Sequence, residues 1–116
     1  MVNFNPGRGS EQKGIRPGLI IQNDVGNQYA ATTIVAAITT TIKKYPVTVF
    51  IPKGRGGLKE ESMINLAQII TIDKGRLLKK VGRLEENKIA EVNEAIKISM
   101  GVTGEMIEDK SEFSNR

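Results

Sequence analysis

Residues 32–42 read Thr-Thr-Ile-Val-Ala-Ala-Ile-Thr-Thr-Thr-Ile, and nine of these eleven residues are β-branched. Branching at Cβ restricts χ1 in a helix and packs well on a pleated surface, so the run specifies a strand despite its two alanines. Alternation places Ile34, Ala36 and Ile38 on one face and Thr33, Val35, Ala37 and Thr39 on the other. Other short strands are expected around it. One spans residues 19–22 and is closed by a tight turn at Asn23-Asp24-Val25-Gly26-Asn27, a second spans 47–51 after Pro46, and residues 62–72 supply one or two more. Asp73-Lys74-Gly75-Arg76 reads as a turn or single helical turn before a last strand near 78–81.

The period changes once. Ile89, Val92, Ile96 and Met100 recur at helical spacing over residues 86–100, with Ala95 and Ile98 widening the stripe. Glu85 and Glu86 suit the positive end of the helix dipole and Gly101 suits its stop. Strands followed by a helix, without repeats or a linker, give a small α+β domain built on an antiparallel sheet or barrel. The domain is expected to span residues 1–101, leaving 102–116 as a polar tail.

Composition narrows the chemistry. The sequence contains no His, no Cys and no Trp, which removes Ser-His-Asp and Cys-His catalysis, zinc held by His or Cys, and disulfides. Its longest apolar run, 34–38, is far short of a membrane span, and the start lacks a basic region followed by an apolar one, so a cytoplasmic protein is expected. Charge is divided unevenly. Residues 1–84 carry 13 basic and 5 acidic side chains, whereas residues 85–116 carry 4 and 8, so the basic body is the part suited to a polyanion.

The glycine-rich stretches fail as nucleotide motifs. Gln12 stands where a dinucleotide fingerprint needs its third glycine, and Ile15 rather than Lys follows Gly14, with Pro17 blocking the helix a P-loop requires. Carboxylates are too scattered for a two-metal site. What remains is the long turn-rich loop over residues 5–18, whose Arg16 is followed by a proline and presents a fork of donors suited to a phosphodiester. Thr39 stands near the end of a rigid strand, and Tyr45, beside Pro46, offers a ring for base stacking.

Gly9-Ser10-Glu11-Gln12, Ile15-Arg16-Pro17, Leu19-Ile20-Ile21-Gln22-Asn23-Asp24, Ile34-Val35-Ala36-Ala37-Ile38-Thr39, Gln68-Ile69 with Thr71-Ile72-Asp73-Lys74, and Ala95-Ile96-Lys97-Ile98-Ser99-Met100-Gly101 follow one another in order. Together they resemble the MazF/PemK endoribonuclease toxin family, in particular its Gram-positive, EndoA-like branch. The resemblance implies an SH3-like antiparallel β-barrel of the CcdB/MazF toxin fold with a C-terminal helix, paired as a homodimer. It implies cleavage of single-stranded RNA at short sequences without a metal or other cofactor, and neutralisation by an antitoxin whose extended tail fills the RNA groove. It carries catalytic roles onto Arg16 and Thr39, with Glu11 and Ser10 supporting them from the loop, and base contacts onto Asn23 and Gln68, joined by Ser62. Glu11 is the local choice for a general base, because Arg stays protonated near neutrality. Val2-Asn3-Phe4 matches only the end of the family's first strand, which the resemblance reads as truncated. An alternative stays open, in which the chain binds an antitoxin peptide but does not cut RNA.

Overall fold

The computed structural model describes residues 1–4, 14–22, 24–101 and 104–106. Along them run β1 (Val2–Asn3), β2 (Ile15–Arg16), β3 (Gly18–Ile20), α1 (Asp24–Tyr29), β4 (Thr32–Thr39), β5 (Thr48–Ile51), β6 (Ser62–Asp73) and α2 (Glu86–Ser99), with 3-10 turns at Arg55–Gly57 and Lys74–Arg76. The strands form a curled antiparallel half-barrel in two sheets, β1-β2 and β3-β4-β6-β5, with α2 against it. This is the α+β architecture that the strand run and the helical stripe predict.

The β-branched run forms the central strand, with β3 on one side and β6 on the other. It is covered on both faces. Ala36 and Ile38 join Val49, Ile51, Ile64 and Leu66 beneath Val92 and Ala95 of α2. Val35, from the opposite face, packs with Val2, Phe4 and Ile72. The strand stops at Thr39, short of the expected Ile42, because Thr39 Oγ1 accepts the backbone N–H of Thr41 at 3.1 Å and bends the chain away.

Residues 62–72, which left one or two strands open, form a single strand of twelve residues with a defect in its middle. Ala36 pairs with Ile69, but the next residue, Ala37, pairs with Asn65. Leu66, Ala67 and Gln68 are therefore omitted from the β4 ladder as a bulge. On its other edge β6 pairs with β5 from Thr48↔Asn65 to Ile51↔Ser62.

Four expectations are corrected. The turn expected over residues 23–27 is instead the short helix α1, closed by Ala30 N–H donating to the Gly26 carbonyl at 3.1 Å. Asn and Asp favour helix starts as well as turns, so residue type alone does not separate the two. The loop expected to run to residue 18 ends sooner, because Ile15 and Arg16 pair with Asn3 and Val2. No strand forms over 78–81, since its neighbour β1 has only two residues; the contacts are a bridge of Val2 with Leu77, Leu78 N–H donating to the Met1 carbonyl at 2.9 Å, and the Met1 ammonium donating to the Lys79 carbonyl at 2.5 Å. The apolar stripe of α2 is also narrower than expected. Val92 and Ala95 are buried and Ile96 packs on the core, but Ile89, Ile98 and Met100 remain exposed because the helix rests mainly on the narrow pair β5 and β6.

The glycine-rich basic loop after β5 is shaped by close backbone packing. Gly57 has φ +80°, and a Cβ there would overlap the Val81 carbonyl. Arg55 is held at 2.8 Å by Glu85 at the start of α2. Gly57→Ala is expected to cost about 2–3 kcal/mol in urea unfolding, from backbone strain together with the overlap. Gly54→Ala is the control, because Gly54 has φ +84° with no atom within 4 Å of its Cβ position. It should cost about 1 kcal/mol. Equal losses in the two variants would refute a packing role for Gly57.

Candidate active site

Pro17 is the point at which the chain changes sheets. Before it, Arg16 pairs with Val2 in the small sheet; after it, Gly18 pairs with Ala37 in the large one. Proline has no N–H to give either ladder, but its carbonyl accepts Ile38 N–H at 3.4 Å. Continuing the β3–β4 register through Pro17 sets Arg16 opposite Thr39. Two residues that the sequence singles out, 23 positions apart, thus take facing backbone positions at the seam between the sheets.

Paired residues share a face, and alternate residues repeat it. Thr39 pairs with Met63, and Phe50 pairs with Met63 from the other side, so this row lies on the face opposite α2. The crossover from β4 to β5 passes over that face. Lys43 N–H donates to Met63 Sδ at 3.3 Å, and Lys44 Nζ stands 5.1 Å from the centroid of the Phe50 ring, a cation–π contact. Two exposed lysine positions are thereby brought beside the Arg16–Thr39 seam.

Thr39 is half-buried, and its Oγ1 is fixed by the Thr41 N–H. Because that bond occupies a lone pair, the hydroxyl proton is left to donate elsewhere. Arg16 is exposed, so its fork is accessible to a ligand.

The other sequence-predicted residues fall in different places. Tyr45 is 51% exposed and its backbone is locked: Thr48 Oγ1 accepts its N–H at 3.0 Å and donates to its carbonyl at 2.8 Å. Gln68 lies half-buried in the β6 bulge. Ser62 is buried, with its hydroxyl donating to the Glu60 carbonyl at 2.9 Å, and it is not brought to the seam. Ser10, Glu11 and Asn23 lie outside the described residues.

Two residues that hold the bulge receive no site role from the sequence. Asn65 Oδ1 accepts Ala67 N–H at 3.0 Å, and Ser99 Oγ, from the end of α2, donates to the Leu66 carbonyl at 2.7 Å. The one available signal was an amide inside the apolar run Met63-Ile64-Asn65-Leu66.

A profile of the PemK-like, MazF-like toxins of type II toxin–antitoxin systems matches residues 1–100. The chain belongs to this family. Among its relatives, this PemK/MazF-family toxin is 50% identical over 104 residues to a protein named endoribonuclease MazF from Staphylococcus saprophyticus, covering 88% of this chain and 87% of that one. A second endoribonuclease MazF, from Staphylococcus epidermidis, is 48% identical over 104 residues with the same shares. Among solved structures, the Mycobacterium tuberculosis toxin MazF-mt6 superposes with a TM-score of 0.71 at 27% identity, over 78% of this chain and 89% of that one. The antiparallel α+β fold with its C-terminal helix is thus the fold of MazF toxins. Among the described residues of the toxin, no helix is long and apolar enough to cross a membrane.

Proposed function

We propose that the chain is a sequence-selective endoribonuclease, the toxin of a type II toxin–antitoxin pair, with Arg16 and Thr39 at its catalytic centre. The observation that carries this reading is half identity, over nearly the whole chain, to proteins named endoribonuclease MazF. The β3–β4 register, continued through Pro17 towards Arg16 and Thr39, supports assigning the two residues to one centre.

RNA supplies its own nucleophile. The 2′-oxygen attacks the adjacent phosphorus, the bond from phosphorus to the 5′-oxygen breaks, and the products are a cyclic phosphate and a 5′-hydroxyl end. The protein positions the strand and stabilises the charge that builds on the phosphoryl oxygens. Arg16 does this with its fork of donors and stands ready to protonate the departing 5′-oxygen. Thr39 donates its hydroxyl proton to a phosphoryl oxygen from the rigid strand. The proton of the 2′-hydroxyl goes to a carboxylate, for which Glu11 is the choice, with Ser10 beside it in the loop. Gln68 and Asn23 read splayed bases through their amide edges, Tyr45 stacks on one, and the exposed lysines of the crossover follow the backbone.

The chemistry is complete without a metal, so cutting is expected to persist in EDTA. An antitoxin is the second partner, with an extended tail that occupies the same groove and shuts it. A second copy of the chain is the third, and the exposed Ile89, Ile98 and Met100 of α2 give a homodimer apolar surface to bury. The toxin acts on cytoplasmic mRNA.

The deciding experiment uses one single-stranded RNA and a copy with a single 2′-deoxy nucleotide at the cut site. The normal RNA should yield discrete fragments ending in cyclic phosphate, whereas the deoxy copy should bind but stay whole. Cutting of the deoxy copy at the same site would overturn the mechanism, and an intact normal RNA would overturn the nuclease reading in favour of a chain that binds antitoxin without cutting.

A further inference from the structure

The β6 bulge is tied down at its first two residues, Leu66 and Ala67. Leu66 N–H donates to the Val47 carbonyl at 2.8 Å, which anchors the bulge to the start of β5. The Leu66 carbonyl accepts Ser99 Oγ at 2.7 Å, which anchors it to the end of α2. Ala67 N–H is held at 3.0 Å by Asn65 Oδ1. Leu66 itself is fully buried in the core. A bulge left unpaired on β4 would otherwise be free to adjust; this one has its N–H and C=O groups committed in three directions immediately before Gln68.

Position matters as well as rigidity. Asn65 pairs with Ala37, two residues from the Thr39–Met63 row and on the same face, so it stands about 7 Å along the strand from the catalytic row. The amide of Asn65 thus lies between the catalytic seam and Gln68, and holds the backbone that connects them.

We propose that Asn65 and Ser99 are positioning residues for sequence selection: by tying the backbone of the β6 bulge they set where the Gln68 amide meets an RNA base. The proposal rests on the reading of Gln68 as a base-contacting residue. Neither residue touches the reacting atoms. Their loss therefore changes which RNA is chosen and how well it binds, rather than how fast a bound phosphodiester breaks. Ser99 also makes the grip of α2 on the sheet part of recognition, since the last turn of the helix holds the bulge directly.

The test uses the full chain and a randomised single-stranded RNA, with fragment ends sequenced and KM and kcat measured on the preferred site. Asn65→Ala should raise KM about tenfold, the scale of one misplaced base contact, with kcat within about twofold. The cut-site profile should broaden at one nucleotide, the same one broadened by Gln68→Ala. Asn65→Asp keeps an Oδ acceptor for the Ala67 N–H and should restore the wild-type profile, which a general loss of stability would not permit. Ser99→Ala should broaden that same nucleotide, and Ser99→Thr should not. Adding Asn65→Ala to Gln68→Ala should bring no further loss, because the two act through one contact. If Gln68→Ala shifts the profile while Asn65→Ala and Ser99→Ala leave it unchanged, the positioning role is overturned alone. If Gln68→Ala itself changes nothing, the base-contact reading falls and the positioning role falls with it.

Discussion

Arg16→Ala is expected to slow RNA cutting on the order of a thousandfold, while the protein stays folded. The large effect follows from what one side chain supplies in the proposed role: a full positive charge and a planar fork of donors for the phosphoryl oxygens as they gain charge. The small structural cost follows from its location. Arg16 is exposed, and the pairing of β2 with β1 runs through its backbone, which the substitution leaves in place. Arg16→Lys separates charge from shape. It keeps a point charge but loses the fork, and its rate should fall between the wild type and the alanine variant. Fragment formation from a single-stranded RNA gives the rates, and thermal unfolding checks that each variant is intact. An alanine variant that cuts within a few-fold of wild type would remove Arg16 from the catalytic centre.

Ile64→Ala is expected to lower stability by about 3–4 kcal/mol without touching the seam. Ile64 is fully buried, with Ile38 beside it on β4 and Val49 on β5, beneath α2. Removing three of its carbons forfeits their transfer from water and leaves a cavity that two paired strands cannot close. At fixed protein concentration the melting temperature should drop by roughly 10 °C or more. Ile64→Val, which removes one methylene, should cost about 1 kcal/mol and calibrates the series. Equal melting temperatures for the alanine variant and the wild type would contradict the packing of α2 over β6.

The two features that define the fold were legible because each is a property of a contiguous stretch. A β-branched density as high as that around Ile34 and Val35 excludes helix locally, and the spacing of Val92, Ala95 and Ile96 excludes strand. The seam was half legible. Arg16-Pro17 and Thr39 were visible, yet nothing in either segment states that they become neighbours; that follows from Gly18 pairing with Ala37, which is a fact about two strands together. The β6 bulge was invisible for the same reason. It is defined by Asn65 and Ile69 meeting adjacent residues of β4, and no window within 62–73 contains that information. Local ambiguity hid α1, whose Asp24 and Gly26 serve turns as readily as a first helical turn.

The bridge between Val2 and Leu77 joins residues 75 apart in the sequence, and it closes the small sheet in which Arg16 is held. Contacts that span most of a chain are among the last to form, because the entropy of closing so long a loop must be offset by structure already in place. Here that structure includes β6, whose C-terminal end leads to Leu77. A nascent chain with β3 and β4 already out therefore carries Arg16 and Thr39 without the frame that fixes the arginine. The frame closes after β6 and the turn behind it have emerged. Order of synthesis thus delays the seam: the ribosome producing this chain meets an unfinished Arg16 frame until Leu77 has emerged.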